Sequence, residues 1–309
     1  MKAVVQVTAV ALGVGKTERC SNMRYRFLRF PEGKAKAVTL SYDDGCRQDI
    51  RFAQVLDRYG IKCTFNLNSG LFGEKPTDWR LSAEEIKTHL LDKGHEVAVH
   101  GRLHRAPGLC RPVEVMQEYL SCRMELEKTF GRIIRGMAYP DSGIRNFQCG
   151  TDYSTTRQIL KDMDIAYART LVGDNDSFKL PEDWYAWMPT AKHTNPQILE
   201  YAQNFVDLQI EGQYIANYWP RLFYMWGHTY EFDGDNNWDH LEKICQILGN
   251  REDIWYATNI EICNYVKAYE ALEMSADGSM IYNPTVYKLW MNVDGKQYVI
   301  EPGQTITME

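Results

Sequence analysis

Ala37-Val-Thr-Leu-Ser-Tyr-Asp-Asp-Gly45 is the stretch that decides the reading of this chain. Residues 37–42 have the length and apolar, β-branched character of a buried strand. They run straight into two carboxylates and a glycine. Residues 49–58 then fit a helix closed at Gly60, and residues 62–67 a second strand. Ser82-x-x-Glu85 is a capping box opening a helix to Lys93, with Gly94 as its C-cap. Residues 96–100 read as a third strand, and Pro112 opens a helix through Thr129 that Gly131 ends. Residues 133–139 and 166–171 are further strands, with a helix over 155–163 between them. Strands alternating with helices in this way predict parallel βαβ units.

The second half is less regular. Residues 173–193, rich in Asp, Trp and Pro, read as a long active-site loop. Helices are expected over 196–207, 238–248 and 260–274, and strands over 222–226 and 254–257. Seven or so units fit an α/β fold, a closed or nearly closed β/α barrel, whose chemistry sits at the C-terminal ends of its strands. The tail differs. Residues 280–282, 287–292 and 297–300 are short strands, and Asp294-Gly295 is a hairpin turn signal. The expected division is a lead-in over 1–34, a barrel over 35–274 and a small β appendage over 275–309.

The chain has 309 residues, 44% of them hydrophobic and 25% charged, with a formal net charge of −6. That balance is globular, and it offers no basic footprint for nucleic acid or an anionic membrane. No apolar run approaches the roughly 20 residues needed to span a bilayer. Eight cysteines, none paired as C-x-x-C, fit reduced thiols better than a disulfide scaffold or a zinc ribbon. Lys2 and the mostly apolar residues 3–14 faintly resemble a signal peptide, but Gln6 and Thr8 interrupt the run and no convincing cleavage site follows. The expectation is a cytoplasmic rather than a secreted protein. A further reading makes residues 1–22 an extension, with translation starting at Met23.

Three features fall at strand ends. Asp43 and Asp44 are adjacent carboxylates, which repel and so call for a cation or for separate roles. Alone, Asp-Asp-Gly is also a common turn. His100-Gly-Arg-Leu-His104 puts two histidines four apart, on one face of a helical turn, where they can share a metal. Asp plus two His leaves coordination positions open, the layout of a catalytic metal site. Trp226-Gly-His228 ends a late strand; its histidine is a third ligand, an acid/base group, or a buried residue bonded to Glu231 or Asp233.

Together these stretches resemble the polysaccharide deacetylase family, the NodB-homology domains of carbohydrate esterase family four. Ser41-Tyr-Asp-Asp-Gly45 is similar to its first motif and His100-Gly-Arg-Leu-His104 to its second. Arg135-Gly-Met-Ala-Tyr-Pro-Asp-Ser-Gly143 is similar to its third, and residues 222–228 to its last. The match covers about residues 35–272, in family order. The resemblance implies a distorted β/α barrel of NodB type. It implies Asp43 as general base, Asp44, His100 and His104 as ligands of a divalent metal, and His228 as general acid. The metal would be zinc, or else cobalt, manganese or nickel. Acetyl groups on N- or O-acetylated sugars would be the substrate. The alternatives are a hydrolase of small non-sugar amides and a non-catalytic carbohydrate-binding barrel. A 2-His-1-carboxylate iron oxygenase shares the ligand set, but fits the strand–helix alternation and the Asp pair poorly.

Some positions depart from the pattern. Gly101 stands where Ser or Thr is frequent, and Ala138-Tyr139-Pro140-Asp141 lacks the usual Arg two residues before the Pro. Arg135 is the expected guanidinium on the catalytic Asp, with Arg102 and Arg145 as rivals. Asp174, Asp176 and Asp183 are candidates for the carboxylate behind His228. Asp141 or Ser142 can offer a backbone N–H to an oxyanion, with Tyr139 and Trp226 beside the substrate. Trp184, Trp187, Trp219, Trp226 and Trp238 and several tyrosines are divided between sugar stacking and core packing. His193 can line the cleft, while His89, His95 and His240 read as structural. Oligomeric state is left open.

Overall fold

The computed structural model describes residues 24–171, 173, 176–212 and 214–308. The expectations for residues 1–22, and the candidate Asp174, lie outside them. In chain order the elements are β1 (Arg26–Arg29), β2 (Lys36–Asp43), α1 (Gln48–Arg58), β3 (Cys63–Leu67), α2 (Ala83–His89), β4 (Glu96–Val99), α3 (Pro112–Phe130), β5 (Gly136–Ala138), α4 (Tyr153–Asp162) and β6 (Tyr167–Arg169). There follow β7 (Ala191–Lys192), α5 (Ile198–Asp207), β8 (Arg221–Gly227), α6 (Tyr230–Gly234), α7 (Trp238–Leu248), β9 (Ile254–Tyr256) and α8 (Asn259–Glu270). The tail holds β10 (Glu273–Met274), β11 (Met280–Tyr282), β12 (Leu289–Val293), β13 (Lys296–Ile300) and β14 (Thr305–Thr307).

The central sheet is parallel throughout, in the order β6-β5-β4-β3-β2-β8-β7. β9 pairs with the first half of β2, at Lys36–Val38, and β3 with its second half, from Leu40 to Asp43. All eight residues of β2 are buried, as a strand covered on both faces must be. Capping fixes the surrounding helices. Ser82 and Glu85 exchange the bonds of the capping box, and Gly94, at φ 86°, closes the turn after α2. Among the described residues no helix is long and apolar enough to cross a membrane. The seven described cysteines are free thiols.

The structure corrects the reading of residues 173–193. Trp187 N–H donates to Ala168 O at 3.0 Å, and Thr170 N–H donates to Trp187 O at 2.9 Å. β7 then pairs with β8. The segment therefore crosses the open side of the sheet between β6 and β8, rather than forming a free loop. Trp187 is 1% exposed and packs on Tyr167, Trp184 and Tyr224, so this part of the aromatic cluster is core. A two-residue strand is too short to show a period.

The tail strands form, but in two sheets. One runs β1-β12-β13, so the lead-in strand pairs with the tail; the other runs β10-β11-β14. Asp294 and Gly295 both have positive φ, at 50° and 87°, the two-residue turn expected from their sequence. α8 stops at Glu270 because Glu273 and Met274 are taken up as β10.

Candidate metal and catalytic site

Asp43 ends β2 and Asp44 lies just beyond it at φ 83°. The left-handed turn sends the two adjacent side chains to different partners. Asp43 turns inward and is 1% exposed. Arg169 Nη2 donates to both of its oxygens, at 2.8 and 2.6 Å, and Asn66 Nδ2 donates to Oδ1 at 2.8 Å. Burial alone would raise the Asp43 pKa. Arg169, His100, His228 and Asn66 outweigh it and hold the carboxyl below its ordinary range. Asp44 faces Arg80, whose Nη2 is 3.3 Å from Oδ1 and whose Nη1 bonds the Asp44 carbonyl. Its Oδ1 lies 3.7 Å from His104 Nε2.

His100 follows β4, and its Nδ1 donates to Ala138 O at 2.9 Å. A carbonyl only accepts, so the proton sits on Nδ1 and Nε2 keeps its lone pair. Burial, against the pull of Asp43 and Asp44, lowers the His100 pKa and favours the neutral, ligating form. Residues 101–105 are not the helical turn their spacing suggested. His104 has φ 62° and Gly101 φ 78°. The loop is gathered by Glu118 Oε1, which accepts from the Leu103 and Arg105 N–H groups at 2.6 and 3.2 Å. A Cβ at Gly101 would come within 2.9 Å of that same oxygen, which accounts for glycine there. The loop brings the two imidazole centroids to 4.8 Å.

Asp44, His100 and His104 thus offer ligand atoms within 4.8 Å of one another, the one such set among the described residues. Ligand atoms on one tetrahedral zinc, with bonds of about 2.1 Å, lie about 3.4 Å apart, so an ion would draw the three groups together by up to about 1.4 Å. The donor set and the neutral His100 fit a divalent cation. Three protein ligands leave positions open for water or substrate.

His228, just past β8, points Nε2 at Asp43 Oδ2 from 3.9 Å, the same distance as His100 Nε2. Its Nδ1 lies 3.2 Å from Glu231 Oε1. Burial would lower its pKa, but Glu231, Asp43 and Asp44 outweigh that and raise it. Glu231 also takes Lys192 Nζ at 2.5 Å. Against its own burial, those two cationic partners bring Glu231 down to about 2. The arrangement sets a carboxylate whose pKa is lowered and an imidazole whose pKa is raised on the two sides of one cleft, the separation that acid/base hydrolysis uses.

The expected residues are therefore partly gathered. Asp43, Asp44, His100, His104 and His228 meet. Asp141, at φ 47°, brings Oδ2 within 3.6 Å of His104 Nδ1. Trp226 lies under Arg169, 4.5 Å from its guanidinium. Tyr139 is buried and its hydroxyl donates to Tyr185 O at 2.8 Å, so its side chain is a packing element.

Arg135 is a correction. It pairs with Asp164 at the surface, and Arg169 supplies the guanidinium on Asp43. Arg102 is likewise taken up by Glu125. Asp183 is also corrected, since it binds Tyr153 and the Tyr185 N–H, while Glu231 stands behind His228. His193 is 1% exposed, sandwiched between Tyr42 and Phe232 with Glu231 Oε2 at 3.3 Å. It backs the site and does not line the cleft. Sequence reasoning missed Arg169, Arg80, Asn66 and Lys192. Arg169 did carry a signal: it lies at the C-terminal end of an expected strand, where barrel chemistry collects.

Residues 30–168 match the family model described as polysaccharide deacetylase. That stretch contains Asp43, Asp44, His100 and His104. No curated protein matches the chain. Among solved structures it is similar to the Streptococcus pyogenes deacetylase PplD in complex with acetate, with 21% identity and TM-score 0.38, over 43% of this chain and 55% of that one. It is similar to a Mycobacterium smegmatis protein assigned to the polysaccharide deacetylases, with 14% identity and TM-score 0.51, over 79% and 94%. A third similar structure is the Xyl-CE4 domain of a multidomain xylanase from the hindgut metagenome of Trinervitermes trinervoides. There the identity is 16% and the TM-score 0.48, over 75% and 92%. The chain thus spans about half the length of the first, and the second has the same fold.

Proposed function

We propose, from the match of residues 30–168 to the polysaccharide deacetylase family model, that the chain is a metal-dependent hydrolase removing acetyl groups from N- or O-acetylated oligosaccharides. The observation that carries this reading is the pairing of two environments around one cleft. Arg169 holds the Asp43 pKa below its ordinary range, and Glu231 raises that of His228. Asp44, His100 and His104 would hold the divalent ion, zinc by its liking for imidazole and carboxylate. When bound, it would polarise the acetyl carbonyl and acidify the attacking water.

The chain's own groups supply the proton movements. Asp43 accepts the proton of the water as its oxygen bonds to the acetyl carbon. His228 gives its Nε2 proton to the sugar nitrogen or oxygen as the bond from that atom to the acetyl carbon breaks. The products are acetate and a free amine or hydroxyl, and the proton taken by Asp43 returns to His228 through water. Acetate release from N-acetylglucosamine oligomers and acetylated xylo-oligosaccharides tests the reading, after chelation and after zinc is restored. Zinc-dependent release supports it. Zinc bound at one equivalent with no release from either substrate favours the binding barrel or a hydrolase of small amides.

A further inference from the structure

The two histidines of the ligand set take their support from one short stretch of chain. Ala138 O, at the end of β5, accepts from His100 Nδ1 at 2.9 Å. Three residues on, Asp141 Oδ2 lies 3.6 Å from Nδ1 of His104, whose Nε2 faces Asp44 Oδ1 at 3.7 Å. Each imidazole thus has an acceptor oxygen beside Nδ1 and keeps Nε2 for a lone pair. The backbone is shaped for this contact. Pro140 O accepts from Gly143 N–H at 2.9 Å, closing a turn over residues 140–143, and Asp141 sits in that turn at φ 47°. Aspartate is among the few residues other than glycine that take this left-handed conformation readily. The turn leaves the Asp141 side chain 55% exposed. On the other flank, Arg80 Nη2 engages Asp44 Oδ1 from 3.3 Å, so part of the charge of the ligating carboxylate is already taken up.

We propose that Asp141 is a positioning residue of the metal site: its carboxylate keeps the proton of His104 on Nδ1 and so commits Nε2 to a divalent cation. This rests on the metal-dependent reading above and names a residue that sets how tightly the ion is held. A carboxylate on the outer nitrogen of a ligating histidine fixes the tautomer and the ring plane, and it makes the inner nitrogen a stronger donor. His100 has a neutral carbonyl in that place and Asp44 shares its charge with Arg80, so the carboxylate behind His104 makes up donor strength that the other two ligands lack. An exposed aspartate has the rotamer freedom to shorten 3.6 Å to hydrogen-bond length. Glycine or asparagine would hold φ 47° as well, which allows the turn and the carboxylate to be tested apart.

The test measures the zinc affinity of the full chain by competition with a chromophoric chelator, for wild type, Asp141→Gly and Asp141→Asn. The Tm of each metal-free protein checks folding. Asp141→Gly is expected to bind zinc about 10- to 100-fold more weakly and to lose it faster to excess chelator, with the metal-free Tm near that of wild type. Asp141→Asn keeps an acceptor oxygen without the charge and is expected to fall between the two. Unchanged zinc affinity in Asp141→Gly overturns the inference and leaves the hydrolase reading standing. An equal weakening in both variants that disappears at about 1 M salt also overturns it, because only screened, long-range charge behaves in that way. If wild type binds zinc but releases no acetate, and Asp141→Gly still binds zinc more weakly, the role of Asp141 stands and the hydrolase reading falls.

Discussion

Arg169 Nη2 reaches both oxygens of Asp43, at 2.8 and 2.6 Å, with neither side chain meeting solvent. One end of β6 thereby fixes the charge and rotamer of the residue that ends β2, with β5, β4 and β3 between them in the sheet. Arg169→Lys keeps the charge but loses the planar fork, and kcat/KM should fall about 10- to 100-fold with zinc affinity retained. Removing the guanidinium also lets Asp43 hold its proton to higher pH, so the acid limb of the pH–rate profile should move upward. Arg135→Ala, on the surface with Asp164, should stay within about threefold of wild type.

Glu231 sets the other limb. Its contact raises the His228 pKa, and the acid must be protonated to work. Glu231→Gln removes that support, so the alkaline limb of kcat/KM should move to lower pH, with kcat down about 10-fold or more at pH 8. Lys192→Met, which removes the second cation on Glu231, should lower kcat with little effect on KM. An alkaline limb that stays in place in Glu231→Gln would show that His228 is set by something else.

Metal removal should separate ligands from catalysts. Asp44→Ala and His104→Ala are expected to bind well below one equivalent of zinc and to lose acetate release. Isothermal titration and elemental analysis check this. Asp43→Asn should bind the full equivalent.

Asp49 gives a stability prediction. It is fully buried in α1, accepts from the Thr229 hydroxyl at 2.6 Å, and is raised by burial to about 8. A carboxyl raised above its unfolded value of 3.8 stabilises fully below that pH. The benefit then fades as pH climbs toward 8. Asp49→Asn carries no charge at any pH. Its stability should therefore gain on wild type steadily as pH rises from 5, by about 3 kcal/mol by pH 7, and its Tm should rise relative to wild type accordingly. A Tm difference that stays flat with pH contradicts this.

Much of the fold was legible because βαβ units announce themselves locally. Gly60, Gly94 and Gly131 close helices, and apolar runs such as residues 37–42 mark strands buried on both faces. β7 and β1 were not legible, since two or four residues show no period and take their structure from distant partners, β8 and β12. The site divides the same way. Asp43, Asp44, His100, His104 and His228 stand in recognisable stretches at strand ends. The residues that orient them do not, because a positioning side chain is chosen by reach across the barrel and not by spacing. Arg169 is 126 positions from Asp43, and only its place toward the end of an expected strand distinguishes it from Arg135. Glu231 was visible only as a bland partner for a buried His228, three positions away.

The most direct test of the central claim is Asp43→Asn, measured for zinc stoichiometry and acetate release on the same preparation. One equivalent of zinc and a loss of release of at least about 10²-fold are expected. Turnover retained at the wild-type level would contradict the assignment of Asp43 as the base, and with it the role given to the Arg169 contact.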